Sequence, residues 1–185
     1  MQSLGWTKHQ LLIQNMLVPY VIKVNFIILI IIGVCLRMLN KYDDAITWFD
    51  KALAIDPKHI ISLSEKGVCL RMLNKYEDAI TWLDKGLAID PKHVVCLSNK
   101  GECLRLLKQY DKSEIVIHQA ITLNPNHTYS LDSLGICLQD QQKYQEALIY
   151  YERSLKVQSN NQWTKNQKGT CFFVNLEFCQ QKLKK

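Results

Sequence analysis

Proline and glycine are scarce in this chain, 4 and 7 of 185 residues, and an apolar fraction of 48% leaves too little polar sequence for disorder beyond the ends. The sequence has no glycine-rich phosphate loop behind a strand, no Cys-x-x-Cys, no His-Glu-x-x-His and no strand pattern to carry a nucleophile elbow. The usual routes to catalysis are therefore missing, and the reading is of a protein that is not an enzyme and needs no cofactor or metal. Nor is charge of one sign concentrated. Basic residues exceed acidic ones by 23 to 17, net +6, and Lys182, Lys184 and Lys185 at the end supply half of that excess. What remains gives only a mild preference for acidic partners.

The glycines that are present carry the main signal. Gly33, Gly67, Gly101, Gly135 and Gly169 stand 34 residues apart, and Cys35, Cys69, Cys103, Cys137 and Cys171 follow two positions behind them. A fixed period of that length marks one helix-turn-helix unit copied along the chain, each copy burying its apolar face on its neighbours. Once-per-unit cysteines cannot form a disulfide ladder. Equivalent positions on stacked helices lie roughly 8 to 10 Å apart, beyond the about 7 Å allowed between bridged Cα atoms. Cys96 and Cys103, on one helix, are about 10 Å apart along its axis. The cysteines read as small buried apolar groups in a reducing, intracellular setting, most simply the cytoplasm.

Opening each unit seven residues before its glycine divides the chain into 26–59, 60–93, 94–127, 128–161 and a partial 162–185, with 1–25 in front. Position 11 is then Leu36, Leu70, Leu104, Leu138 and Phe172, and position 17 is Tyr42, Tyr76, Tyr110, Tyr144 and Phe178. Position 20 holds Ala45, Ala79, Ser113 and Ala147; position 24 holds Phe49, Leu83, Ile117 and Tyr151; position 32 holds Pro57, Pro91 and Pro125. In these residues the chain resembles the tetratricopeptide repeat (TPR) family, whose signature is a large residue at 4, Gly at 8, Ala at 20, an aromatic at 24 and Pro at 32. The resemblance implies an all-α fold, a right-handed α-solenoid of antiparallel helix pairs. Position 4 departs by carrying Leu29, Leu63, Leu97 and Leu131, and position 7 by carrying Lys66, Lys100 and Lys168, whose stems are expected to snorkel to water. Residues 33–66 and 67–100 differ at 7 of 34 positions, so 27 are identical, and near-identical units make a repetitive surface.

The ends depart from the pattern. After Gly169 the last helix keeps Phe172 and Phe178 but has Gln181 at position 20, which reads as a capping helix with a basic tail. In front, residues 17–36 carry one charge, Lys23, and include seven consecutive apolar residues from Phe26 to Ile32. Three readings compete. In one, a buried first helix is covered by a separate capping helix over 7–18 that Pro19 ends. In another, the stretch anchors the chain in a membrane, with Arg37 and Lys41 following it. The third, a cleaved leader, lacks a small-residue cleavage site.

His59, His93 and His127 recur at position 34, one unit apart and too distant from one another for a shared metal, so they read as turn residues. Rotation by about 100° per residue puts positions 2, 5, 6, 9, 12 and 13 of each first helix on a common side. In the family that side lines a concave groove. The resemblance thus implies a partner-binding face of Ile61, Ser64, Val68 and Arg71, then Val95, Ser98, Glu102 and Arg105, then Tyr129, Asp132, Ile136 and Gln139, with Trp163, Asn166 and Thr170 closing it. Arg37, Arg71 and Arg105 form a row at position 12. The family's clamp for a chaperone's C-terminal carboxylate needs Lys, Asn and Arg where this chain has Ser64, Val68, Tyr129 and Ser133, with Asn99 alone in place. The expectation is a noncatalytic scaffold holding a peptide or helix of another protein. Its rivals are a membrane-anchored adaptor of the same kind, contacting lipid through 17–36, and an RNA-binding helical repeat. The RNA reading is disfavoured because it needs regular polar pairs that are missing here.

Overall fold

The computed structural model describes residues 8–183, with side chains over 17–176. These residues form helices α1 (Lys8–Met38), α2 (Tyr42–Ile55), α3 (Ile60–Met72), α4 (Tyr76–Ile89), α5 (Val94–Leu106), α6 (Tyr110–Leu123), α7 (Thr128–Asp140), α8 (Tyr144–Val157) and α9 (Gln162–Leu183). Helices α3, α5, α7 and α9 begin on the first residues of the units read from the sequence.

The helix ends follow from local chemistry. At position 34, His59 Nδ1 accepts from Ser62 N–H and His93 Nδ1 from Cys96 N–H, both at 3.3 Å, and Asn161 Oδ1 accepts from Thr164 N–H at 3.2 Å. His59, His93 and Asn161 thus cap their helices, each satisfying a donor that the first turn leaves unpaired, whereas His127 Nδ1 meets Ser130 Oγ at 2.7 Å instead. First helices stop at a residue in the left-handed region: Asn40, Asn74 and Lys108 at φ 60° and Gln142 at φ 63°. That conformation lets Lys75 N–H reach Leu70 C=O at 2.9 Å and Gln109 N–H reach Leu104 C=O at 2.8 Å, the six-to-one bond of a Schellman turn. Second helices open on acidic residues, Asp43 and Asp44, Glu77 and Asp78, Asp111 and Glu146, which favour the positive end of the helix dipole. Pro57, Pro91 and Pro125 lie in the turns that follow.

Each unit closes on its glycine. A Cβ at Gly33 would stand 2.7 Å from Phe49, at Gly67 2.7 Å from Leu83 and at Gly135 2.5 Å from Tyr151, and at Gly101 it would collide with Ile117. Positions 8 and 24 are therefore one contact, in which a missing side chain admits a large one. Ala45, Ala79, Ser113 and Ala147 are fully buried beside it, and Ser113 Oγ is satisfied by donating to Gly101 C=O at 2.8 Å. Between units, Cys69, Cys103, Cys137 and Cys171 are fully buried. Burial pushes the thiols of Cys69, Cys96 and Cys103 up to about 12, so they stay protonated and inert.

The successive first helices approach one another closely, α1 to α3, α3 to α5, α5 to α7 and α7 to α9, whereas among the described residues no two second helices bring their backbones as near, α6 and α8 meeting only through side chains such as His118 and Tyr150. The first helices therefore line the inner, concave side. Each helix packs on its neighbours in sequence, which is the solenoid arrangement.

Two expectations are corrected. Pro19 does not end a helix: it lies inside α1, which runs unbroken from Lys8 to Met38 across the boundary placed between 1–25 and 26–59. A separate covering helix over 7–18 is thereby ruled out, and Leu17, Tyr20 and Ile31 are exposed. The position 7 lysines, in turn, are ion-paired, and Lys66 does not reach water. Lys66 Nζ pairs with Asp50 of the preceding unit and lies 3.7 Å from the Trp82 ring, with its side chain only 9% exposed. Lys100 pairs with Asp84 at 2.6 Å and Lys168 with Glu152 at 2.9 Å, each time position 7 with position 25 of the unit before. At the remaining junction both partners change together, to Leu134 and His118, and Leu134 is fully buried.

Candidate protein-binding groove

Position 2 of each first helix puts an exposed apolar side chain on the inner side: Ile27, Ile61, Val95, Tyr129 and Trp163. This ladder is the feature that repeats best across the concave face. Beside its last two rungs lies a cavity of about 310 Å³ lined by Arg71, Glu102, Tyr129, Asp132, Ser133, Ile136, Asn161 and Trp163. Arg71, Glu102, Tyr129 and Asp132, from α3, α5 and α7, are thereby brought together.

The polar groove residues differ sharply in availability. Ser64 and Ser98 are buried, their hydroxyls donating to Ile61 C=O at 2.9 Å and Val94 C=O at 2.7 Å. Asn99 is buried too, its Nδ2 on Val95 C=O at 2.8 Å and its Oδ1 accepting from Tyr129 Oη at 3.4 Å. Enclosure of that hydroxyl pushes the Tyr129 phenol up to about 12, while the ring remains 36% exposed. Asp132 is buried, and burial raises its carboxyl above the usual range, partly offset by the hydroxyls of Ser154 and Thr164. Thr164 Oγ1 donates to it at 3.0 Å, tying α9 to α7. Gln139 Oε1 accepts from Tyr151 Oη at 2.9 Å. Val68 is half-buried, and Asn166 and Thr170 are exposed.

The row of arginines is not uniform. Arg37 is paired with Glu65 at 2.5 Å. Arg105 is held by Glu102 through Nε at 3.0 Å and Nη2 at 2.8 Å, and by Asp140 through Nη1 at 2.5 Å. Burial alone would lower its pKa, but the hydrogen bonds and charges of Glu102 and Asp140 outweigh that and raise it. Arg71 has no ion pair among the described residues. Its unit has Val68 where Arg105 has Glu102, and the next unit has Asn99 where Arg37 finds Glu65. The continuous basic face that an RNA reader would use is thus reduced to one uncompensated guanidinium.

A larger depression, about 930 Å³, lies against α6 and is lined by Ile115, His118, Glu114 and Lys143. Lys143 Nζ donates there to Glu114 Oε1 at 3.0 Å, Asp111 also lines it, and it lies on a second helix. We favour the smaller, inner cavity because it joins the repeated ladder to an unpaired charge. Among the described residues no three His, Cys, Asp or Glu side chains cluster as metal ligands.

Two family models match the chain, one described as anaphase-promoting complex, cyclosome, subunit 3, over residues 38–120, and one as tetratricopeptide repeat, over 94–160. The chain is a tetratricopeptide repeat protein. Comparison with curated protein sequences gave no match. Among solved structures, this TPR chain is similar to PilF of Pseudomonas aeruginosa, with 22% identity, TM-score 0.73 and coverage of 83% of this chain and 70% of that one. The first TPR of Spaghetti (RPAP3), bound to the HSP90 peptide SRMEEVD, gives 28% identity, TM-score 0.61 and coverage of 63% and 95%. YrrB, a TPR protein with an unusual peptide-binding site, gives 20% identity, TM-score 0.59 and coverage of 80% and 76%. The TPR fold is a protein-interaction scaffold.

Proposed function

We propose that this TPR protein binds a helical segment of another protein along its inner face, with no chemistry of its own. The observation that carries this reading is the apolar ladder at position 2 beside an unpaired Arg71. An extended peptide needs main-chain partners, but Ser64 and Ser98 already spend their hydroxyls on their own helices and Asn99 its amide on Val95 and Tyr129. A helix satisfies its backbone internally and asks only for apolar contact. Neighbouring first helices are roughly 8 to 10 Å apart, close to the rise of about seven helical residues, so the fitting partner carries apolar side chains at i and i+7. One acidic residue of the partner meets Arg71. Spaghetti and YrrB, the relatives whose structures concern peptides, support a partner of this general kind.

The test is titration of a partner purified from cells against Arg71→Glu and against Trp163→Ala. Each is expected to weaken binding about tenfold or more, roughly 1.4 kcal/mol, with the loss from Arg71→Glu shrinking at high salt. Unchanged affinity for both would overturn this face as the contact surface. Arg105 is unsuited to the same experiment, since reversing its charge would set it against Glu102 and Asp140 and damage the fold.

A further inference from the structure

We infer that α1 upstream of the repeats inserts into a lipid bilayer and holds the repeats at its surface. Helices α3, α5 and α7 contain 13 residues each, and α1 contains 31. Its last turns, from Phe26 on, form a normal unit with α2, where Phe49 closes on Gly33. Residues 8–25 run on beyond that unit for about 27 Å at 1.5 Å per residue. The stretch Leu17–Met38 is long and apolar enough to cross a membrane, and almost none of it is buried.

The kind of cover it needs can be read from its faces. Leu17, Val18, Tyr20, Val21, Ile22 and Val24 are all exposed, and at about 100° per residue they spread over roughly 200° of the helix, with Pro19 and Lys23 in the remaining sector. A partner helix or a second copy covers one stripe and leaves a polar face to water. An apolar arc that wide exceeds one such stripe and is met by lipid, with Lys23 left toward water. Stacking of another repeat on α1 is further opposed at position 3. Ser62, Cys96, Ser130 and Thr164 are small there and fully buried at the unit junctions, as where Cys96 Sγ would lie 2.9 Å from a Cβ on Gly86. The first unit instead has Ile28, branched and 46% exposed, where a neighbouring helix would have to come close. Lys23 is the single charge from 17 to 36, on a stem long enough to reach the interface, and it stands three residues before the first unit opens at Phe26. Asp43, Asp44 and Asp50 on α2 keep the repeats themselves out of lipid.

The full-length chain is mixed with phosphatidylcholine vesicles and, separately, with vesicles containing phosphatidylglycerol, and both are floated on a density gradient at low and at 1 M salt. It is expected to float with both at both salts, and Val18→Glu/Ile22→Glu to lose at least tenfold in vesicle-bound fraction with the helical melting curve of the repeats unchanged. Flotation only with anionic vesicles at low salt would replace insertion by surface charge attraction and overturn the proposal. So would a chain that stays at the bottom and forms, by light scattering, a dimer that Ile22→Glu dissociates, because a second copy would then be the cover. An intact mass from cells lacking the residues before Gly33 would identify a removed leader and overturn it equally. None of these outcomes depends on the groove.

Discussion

Position 15 shows how a strained residue is tolerated in one copy and less well in another. Asn40 and Asn74 sit at φ 60°, and each is braced by the tyrosine two residues on, Tyr42 Oη donating to Asn40 Oδ1 at 2.7 Å and Tyr76 Oη to Asn74 Oδ1 at 2.8 Å. Lys108 takes the same conformation with an exposed side chain that has no Oδ1 to accept such a bond. A non-glycine residue there costs on the order of 1 kcal/mol. Lys108→Gly is therefore expected to raise stability by about 0.5 to 1 kcal/mol after the entropy of the unfolded chain is allowed for, and Asn74→Gly to be neutral or worse. Urea denaturation of both variants checks this; equal effects would show that the brace on Asn74 contributes nothing. The helix ends were only partly legible in the sequence. Pro at position 32 and the acidic first turns announce where second helices stop and start, but the capping histidines do not look like caps until Asn161 is noticed at the same position.

At the scale of the element, the glycine at position 8 matters only when a second helix covers it. Gly101 faces Ile117, whereas nothing approaches Gly169 within 4 Å, because the described part of α9 has no second helix folded back on it. Gly101→Leu is expected to cost roughly 1 to 3 kcal/mol or more by overpacking. Gly169→Leu should be neutral or slightly stabilising, since Leu is the better helix former. Thermal melting of the pair is the check, and equal losses would contradict the assignment of α9 as a helix open on that face. The repeat made the helices and their pairing legible from spacing alone. Pro19 misled because a proline within a helix is ordinarily a break, yet α1 runs through it. The lysines at position 7 misled for a different reason. Their partners stand 16 residues back, Asp50 for Lys66 and Asp84 for Lys100, a distance that only the stacking of one unit on the next explains.

For the molecule as a whole, the solenoid turns a duplicated sequence into a graded surface. The buried positions stay nearly constant from unit to unit, while position 2 grows from Ile61 and Val95 to Tyr129 and Trp163 and the charges at 9 and 12 change. The sequence could place Arg71 and Arg105 in one row but could not show that Glu102 and Asp140 occupy one and leave the other. That difference depends on which side chains the packing brings within reach, and it confines the binding claim to one end of the groove. The most direct test puts a photo-crosslinking phenylalanine analogue at Tyr129 on the inner face and, separately, at Ile115 beside the larger depression, in a chain bound to its purified partner. The account predicts an adduct from position 129, lost with Arg71→Glu, and none from position 115; an adduct from 115 alone would contradict it.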